Sequence, residues 1–209
     1  MCSISASKDK EVLLKLIELN RYRGEESHSV TTYLHQEDCE EGCDGFHLKT
    51  QLKQYGPLNV ESLDGEWDYC IVHQQAPTSK EVNNTDLATG KFIHPAQKEK
   101  SYLWHNGIIK EGKFEGDWDT EWLFDQTLNE SLSEVDGTFA CMLNHDNDMF
   151  IFRNEISPLF KDGSSFSSTK FEGSEPVIPN KMWKLDYGTG VLEEMWKFET
   201  KENPYHFGE

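Results

Sequence analysis

Hydrophobic and polar positions alternate with two different periods along this chain of 209 residues. Apolar residues recur at helical spacing in 9–22 and in 119–132, which predicts two amphipathic helices. Short β-branched or aromatic runs predict strands at 2–6, 29–34, 67–73, 102–105, 138–144, 149–153, 165–168, 182–185 and 191–198. Neither period is clear in 48–56, where we expect a helix or irregular structure.

Turn sequences separate two pairs of these strands. HDND lies between 138–144 and 149–153, and DYGTG lies between the last two strands, so each pair is predicted to form a hairpin. The order of elements predicts an α+β protein with two strand-rich layers. We expect a single domain over 2–200 and a loosely ordered tail over 201–209.

Composition narrows the class of protein. The chain is 36% hydrophobic and 12% aromatic, which suits a globular core. Its net charge of −18 would repel a polyanion, so direct binding of nucleic acid is not expected. We find neither an apolar run long enough for a membrane span nor the apolar core of a secretory signal. Five cysteines cannot all pair within the chain, and we therefore expect free thiols and a cytoplasmic location.

The strongest candidate for a catalytic residue is Cys2, which follows the initiator methionine. Removal of Met1 would place a thiol and a free α-amine on one residue. An α-amine has a pKa of about 7.7–8.0, so near neutral pH it can accept the thiol proton and generate a nucleophile. A cysteine at position 2 can also be accidental, so this interpretation depends on other residues.

Two dipeptides supply the further groups that an acyl-transfer site needs. Asn106-Gly107 could offer a side-chain amide and a backbone N–H to an oxyanion. Asp136-Gly137 could offer a carboxylate to a substrate ammonium. Each dipeptide also has a plain structural interpretation, because Asn-Gly and Asp-Gly are common turn sequences.

A metal site has weaker support. His35, Cys39, Cys43 and His47 have a spacing of H-x3-C-x3-C-x3-H, and both residue types bind zinc. The segment is acidic and contains glycine, and it lacks the C-x2-C spacing of zinc sites, so a loop with free thiols is favoured over zinc. No nucleotide-binding glycine motif is present, and we predict neither a metal nor another cofactor.

The segments around these residues occur together in one order. They are MCSI at the start, VHQQAPTS at 72–79, LWHNGII at 103–109, EVDGTFACML at 134–143 and SFSSTKF at 165–171. In this order the chain resembles the class II glutamine amidotransferases, whose nucleophile is an N-terminal cysteine. It is most similar to the glutaminase domain of asparagine synthetases, and the resemblance covers residues 2 to about 171.

The resemblance implies the four-layer αββα sandwich of the Ntn hydrolases, with two antiparallel sheets between helical layers. Cys2 would attack the side-chain amide of glutamine, release ammonia and form a thioester that water hydrolyses. Asn106 and Gly107 would bind the oxyanion. The substrate-binding residues implied by the matching segments are Gln75, Ala76, Thr78, Asp136 and Gly137, with Asp136 binding the α-ammonium.

The sequence also departs from the family pattern. An arginine that clamps the glutamine α-carboxylate in the family is Gln75 here, and a neutral amide cannot form the charged bidentate pair. Arg21 and Arg23 are possible replacements. Three interpretations follow: a glutaminase that binds glutamine differently, a pseudo-amidotransferase that serves as a binding or regulatory module, or an Ntn hydrolase of another amide. The sequence leaves no room for a synthetase domain, so ammonia would pass to a separate partner.

Overall fold

The computed structural model describes residues 2–36, 45–76, 92–111 and 118–200. Within these residues the α-helices are α1 (Lys10–Asn20) and α2 (Asp119–Leu128), and short 3₁₀ helices cover Arg21–Arg23, Val60–Leu63 and Leu132–Glu134. The strands are β1 (Ser3–Ser7), β2 (Ser27–Gln36), β3 (Gly45–Tyr55), β4 (Tyr69–Gln75), β5 (Ala96–Lys98), β6 (Ser101–Glu111), β7 (Asp136–His145), β8 (Asp148–Arg153), β9 (Phe160–Asp162), β10 (Ser165–Ser167), β11 (Glu175–Pro176), β12 (Lys181–Leu185) and β13 (Leu192–Lys197).

The strands form two antiparallel sheets. The first has the order β11-β9-β10-β1-β4-β2-β3, and the second has the order β13-β12-β8-β7-β6-β5. Their facing sides bury one apolar cluster, which includes Ile4, Ile71, Trp104 and Met142. Because side chains alternate along a strand, the neighbouring residues point to the opposite face of each sheet.

Helices cover those opposite faces. Leu13 and Ile17 of α1 pack with Cys70 and Val72 on the first sheet. On the second sheet, Leu123 and Phe124 of α2 pack in a cluster with Phe139, Cys141 and other residues. The resulting order of layers is helix, sheet, sheet, helix. This confirms the α+β prediction and the αββα sandwich.

Both predicted helices are present. The Asp9 side chain caps α1 by accepting hydrogen bonds from the backbone N–H groups of Glu11 and Val12. The hairpin between β7 and β8 also forms, and its turn residues Asp146 and Asn147 have φ angles of 50° and 65°. Two such left-handed residues are typical of the tight turns that join antiparallel strands.

Two predictions about strands were wrong. Residues 48–56 were expected to be helical or irregular, but Gly45–Tyr55 is an edge strand that pairs with β2 along its length. The strand expected to end at His105 continues through Asn106 and Gly107 to Glu111, because β7 pairs with it as far as Asp136. The structure therefore contradicts the interpretation of Asn106-Gly107 as a turn.

Candidate active site

Cys2 lies one residue before β1 and is partly exposed. Strand alternation places its side chain on the face that carries Ile4 and Ala6, toward the second sheet. The thiol donates to the carbonyl oxygen of Ala76, with Sγ and the oxygen 3.8 Å apart. The carbonyl oxygen of Cys2 accepts a hydrogen bond of 3.0 Å from Nε of Arg23. Both the thiol and the backbone of Cys2 are thus held by neighbouring segments.

The environment of Cys2 favours the neutral thiol in the chain that begins at Met1. Its pKa is raised to about 11, chiefly by burial and to a smaller extent by the charge of Asp119. The terminal amine, the contact with Ala76 and the Arg23 guanidinium act in the opposite direction. Cys70 and Cys141 are completely buried, and burial raises the pKa of both. These three thiols are free, as expected, and among the three residues only Cys2 is not fully buried.

Asn106 lies within β6, buried, opposite Ala140 of β7. Its Nδ2 atom donates to the Ser168 hydroxyl at 3.2 Å, and the same hydroxyl accepts from the backbone N–H of Ile4 at 2.9 Å. Ser168 therefore links the predicted oxyanion donor of the second sheet to β1, the strand that Cys2 precedes. The sequence assigned no role to Ser168, since the contact spans 62 residues.

Gly107 is required by the close approach of two strands. A Cβ atom at this position would lie 1.9 Å from the carbonyl oxygen of Thr138 and 2.7 Å from Nε2 of His105. Any larger residue would have to separate β6 from β7 or displace His105. This steric requirement accounts for the glycine after Asn106 without a turn.

Asp136 and Gly137 begin β7, farther along the same ladder. Asp136 is partly exposed and lies four residues before Ala140, which faces Asn106. At about 3.3 Å per residue the two backbone positions are about 13 Å apart along the strand. A Cβ atom at Gly137 would lie 2.4 Å from the carbonyl oxygen of Ile108, so this glycine also permits close pairing. The structure places both residues on the strands of the site, but not beside Asn106.

The Gln75 side chain is buried, and both polar atoms of its amide have protein partners. Nε2 donates to the carbonyl oxygen of Phe92 at 2.9 Å, and Oε1 lies 3.2 Å from Nδ1 of His94, which donates to it. Gln75 therefore fastens the segment around Phe92 and His94 to β4. Ala76 contributes its carbonyl oxygen to Cys2, whereas Thr78 lies outside the described residues. The Gln75 amide thus holds this segment in place rather than presenting a charged group to a substrate.

Three buried histidines lie behind this end of the sandwich. The rings of His73 and His94 are 4.0 Å apart between centroids, and those of His94 and His105 are 6.3 Å apart. The Thr120 hydroxyl, at the start of α2, lies 3.2 Å from Nε2 of His94 and 3.2 Å from Nδ1 of His105. Nε2 of His73 donates to the carbonyl oxygen of His105 at 3.1 Å. The Thr120 hydroxyl and the His105 carbonyl thus connect β4, the segment around His94, β6 and the start of α2.

These histidines are held in their neutral form. Burial lowers the pKa of His73 to about 3 and lowers the pKa of His94 well below its ordinary value. Burial also lowers the pKa of His105, although the nearby Asp119 carboxylate opposes that shift. Among the described residues no three histidine, cysteine, aspartate or glutamate side chains are arranged to hold a metal ion. Cys39 and Cys43 of the zinc alternative lie outside the described residues.

The two arginines proposed as replacement clamps differ sharply. Arg21 is exposed and pairs with Glu18 and Glu25, so its charge is directed into solvent. Arg23 is partly buried and contacts Cys2 directly. Of these two residues, only Arg23 brings a cation to the candidate site.

Comparisons with known proteins support the fold. No family model and no curated protein sequence matches the chain. Among solved structures, glutamine phosphoribosylpyrophosphate amidotransferase from B. subtilis aligns with a TM-score of 0.59 at 12% identity, over 95% of this chain and 49% of that one. A structure described as the allosteric regulatory enzyme of purine biosynthesis aligns with a TM-score of 0.59 at 14% identity, over the same shares.

The chain spans about half the length of these two structural neighbours. At such low identity the likeness establishes the fold alone, which is the Ntn-hydrolase αββα sandwich, and leaves the chemistry to the residues of the site. None of the helices in the described part of the chain is long and apolar enough to cross a membrane.

Proposed function

We propose that this chain is a glutamine amidotransferase domain in which Cys2 hydrolyses the side-chain amide of glutamine. The observation that carries the proposal is the placement of Cys2. Cys2 immediately precedes β1, its thiol contacts the carbonyl oxygen of Ala76, and its own carbonyl oxygen accepts a hydrogen bond from Arg23. In β1 the backbone N–H of Ile4 shares the Ser168 hydroxyl with the amide of Asn106. Removal of Met1 would make Cys2 an N-terminal thiol on the strand that is tied to the candidate oxyanion donor, within a fold shared with an amidotransferase.

The thiol needs a base, because with a pKa of about 11 it is protonated near neutral pH. Removal of Met1 would provide the base on the same residue as an α-amine. The thiolate would attack the amide carbon, and the amine would return the proton to the departing ammonia. Water would then attack the thioester, which frees glutamate and restores the thiol.

Asn106 is suited to stabilise the oxyanion of both steps. A side-chain amide carries two N–H donors, and Ser168 occupies one of them. The second donor and the backbone N–H of Gly107 are proposed to bind the oxyanion. Asp136 is proposed to bind the α-ammonium of glutamine, with Gly137, Ala76 and Thr78 lining the site. Arg23 is the proposed partner of the α-carboxylate, since Gln75 is engaged within the protein.

The ammonia is proposed to pass to a separate cytoplasmic synthetase partner, as the likeness to the glutaminase domain of asparagine synthetases suggests. No cofactor is needed for hydrolysis itself. The partner and the ammonia acceptor would decide the biological reaction.

The test compares the wild-type protein with Cys2→Ala, after its N-terminal mass has been measured. The processed wild-type protein should release glutamate from glutamine, and Cys2→Ala should release none above the uncatalysed rate. Cys141→Ala is the control, since Cys141 is buried within β7 and should leave turnover per folded molecule unchanged. Retention of Met1 in the native protein, or full activity of Cys2→Ala, would overturn the proposal.

One observation favours a second function, a binding or regulatory module without turnover. Gln75 stands where the resemblance expects a charged clamp, and its amide is occupied by Phe92 and His94. A glutamine analogue with a diazo-ketone group separates the two functions. Labelling of Cys2 in intact-mass spectra supports the enzyme, whereas an unlabelled Cys2 at saturating reagent supports the module.

A further inference from the structure

The inner face of the first sheet, which looks toward the second sheet, becomes polar near Cys2. In β2 this face carries Ser27, Ser29, Thr31 and Tyr33, because Tyr33 belongs to the inter-sheet core and alternate residues share a face. All four residues have 0% exposure. Three successive inward positions of a central strand are therefore small hydroxyl residues.

Their neighbours across the sheet are also polar. Ser27 pairs with Gln75, and Ser29 pairs with His73 on β4. On the other side Thr31 pairs with Gln51, and Ser29 pairs with Lys53 on β3. Directly opposed side chains lie about 4.5–5.5 Å apart at Cβ, so these residues form one continuous patch. We name Ser27, Ser29, Thr31, Gln51 and His73 the inner polar patch.

Each member of this patch has a buried polar atom without a protein partner. The atoms are Oγ of Ser27, Oγ of Ser29, Oγ1 of Thr31, Nε2 of Gln51 and Nδ1 of His73. A single buried polar group left unsatisfied costs about 1–3 kcal/mol. Five of them on adjacent positions would together cost a large part of a domain's stability of about 5–15 kcal/mol. This cost favours a bound group that satisfies them.

The hydrogen bonds of His73 indicate which donors and acceptors the bound group needs. Its Nε2 faces the carbonyl oxygen of His105, which only accepts, so Nε2 carries the proton. The imidazole is neutral, and Nδ1 is consequently an acceptor that needs a donor. The hydroxyls can donate or accept, whereas Nε2 of Gln51 only donates. Water is the smallest molecule that both donates and accepts and can reach such a mixed set.

Part of the layer above the patch is filled by the segment that contains His94, whose ring lies 4.0 Å from that of His73 between centroids. Packed sheets lie about 10 Å apart, and elsewhere in this layer large side chains such as Tyr33, Tyr69 and Trp104 fill that distance. Serine and threonine fill far less of it. The nearest charged side chain of the ladder, Lys53, directs its ammonium to the carbonyl oxygen of Pro95 at 2.7 Å. The charge of Lys53 is thus already bound, and the patch itself is uncharged.

We propose that the inner polar patch is a binding site for a small cluster of internal water molecules. One of these waters donates to Nδ1 of His73 and fixes the tautomer whose Nε2 proton holds the carbonyl of His105. Because Asn106 follows His105, the water cluster is a positioning element for β6 at the candidate oxyanion donor. Buried waters of this kind commonly make about three hydrogen bonds to groups that would otherwise be unsatisfied.

The test is a high-resolution crystal structure of the wild-type protein together with nitrogen-15 spectra of His73. We expect water oxygens within about 2.7–3.2 Å of Nδ1 of His73 and of the β2 hydroxyls. The double variant S29A/T31V should lose at least one of these waters. Its unprotonated Nδ1 resonance should move downfield, because the nitrogen loses a hydrogen-bond donor.

Thr32→Val is the matched control, since Thr32 lies on the same strand but bonds Thr50 on the other face at 2.7 Å. It should leave the waters and the His73 resonance unchanged. A wild-type structure in which the five atoms bond only protein groups would overturn the inference, as would an unchanged resonance in the double variant. If that variant does not fold, the wild-type structure decides the question. None of these measurements depends on glutamine turnover.

Discussion

The two ends of the layer between the sheets are built from the same strands but from different kinds of side chain. At one end Tyr33, Phe46 and Tyr69 pack edge to face, with ring centroids 6.1 Å apart for Tyr33–Phe46 and 5.3 Å apart for Phe46–Tyr69. At the other end the same β2 and β4 present Ser29 and His73. A shift of four residues along a strand thus changes the layer from aromatic to polar.

This difference means that one end of the layer stabilises the fold and the other end carries the candidate site. Each buried aromatic side chain contributes about 1.5–3 kcal/mol through burial, and edge-to-face contacts add to it. A neutral hydrogen bond contributes only about 1 kcal/mol, while a lost partner costs about 1–3 kcal/mol. The aromatic end therefore stabilises the sandwich, and the polar end holds Cys2 and Asn106 in place at a net cost.

Acid should produce the largest effect, and it should act at the polar end. The pKa of His73 is lowered to about 3, and those of His94 and His105 are also lowered, so the unfolded chain binds more protons than the folded one below about pH 6.5. The free energy of unfolding is unaffected by these histidines well above that pH, and it decreases as the pH falls toward 3. His73 should cost about 2 kcal/mol between pH 6.5 and pH 5, and the lowered pKa values of His94 and His105 add to this loss.

Urea unfolding at pH 7.5 and pH 5 measures this loss. His73→Gln should reduce the slope of stability against pH, although it also lowers stability at pH 7.5. His145→Gln is the control, because His145 is a partly exposed residue beside the β7–β8 turn. A slope that His73→Gln and His145→Gln change equally would contradict the assignment to the buried histidines.

Phe46→Ala should have the next largest effect and should act at the aromatic end. Phe46 is 2% exposed and contacts the rings of Tyr33 and Tyr69, so its removal should lower the free energy of unfolding by about 3–5 kcal/mol. Tyr55→Ala is the control on the same strand, since Tyr55 is 49% exposed and should change stability far less. Labelling of Cys2 per folded molecule should stay the same in both variants, and a change with Phe46→Ala would show that the two ends are coupled.

Local pattern predicted the first helix and the β7–β8 hairpin better than it predicted the edge strand that carries Phe46. The spacing of Leu13, Leu16 and Ile17 predicted α1, and the turn residues before Asp148 predicted the β7–β8 hairpin. The edge strand β3 was missed because many of its side chains are exposed or only partly buried, which weakens the alternation. Its pairing with β2 decides its conformation.

The candidate site shows the same limit. Cys2, Asn106, Gly107 and the Asp136-Gly137 pair were identified from short motifs, and their proposed roles remain predictions. Ser168 and Thr120 were assigned no role, because each acts through contacts made by folding. Ser168 reaches Asn106 across 62 residues, and Thr120 reaches His94 across 26. The hydrogen bonds of the Gln75 amide to Phe92 and His94 could likewise not be predicted from the sequence.

Thr120→Val removes one hydroxyl from the polar end and should cost about 2 kcal/mol, because a buried imidazole loses its hydrogen-bond donor. The side chain keeps its shape, so packing against α2 should change little. Nitrogen-15 spectra of His94 and His105 should shift, and urea unfolding should measure the loss. Unshifted spectra would show that Thr120 does not bridge the two rings.

Tyr69→Phe removes one hydroxyl from the aromatic end and should have the smallest effect. The Tyr69 hydroxyl donates only to the carbonyl oxygen of Ser164, at 2.8 Å, and the ring itself remains in the core. We expect a loss of about 1 kcal/mol in urea unfolding, the value of one neutral hydrogen bond. The comparison with Thr120→Val is direct, since each variant deletes one buried hydroxyl. If Tyr69→Phe costs as much as Thr120→Val, hydroxyl burial alone sets the cost, and the polar end has no special dependence on its hydrogen bonds.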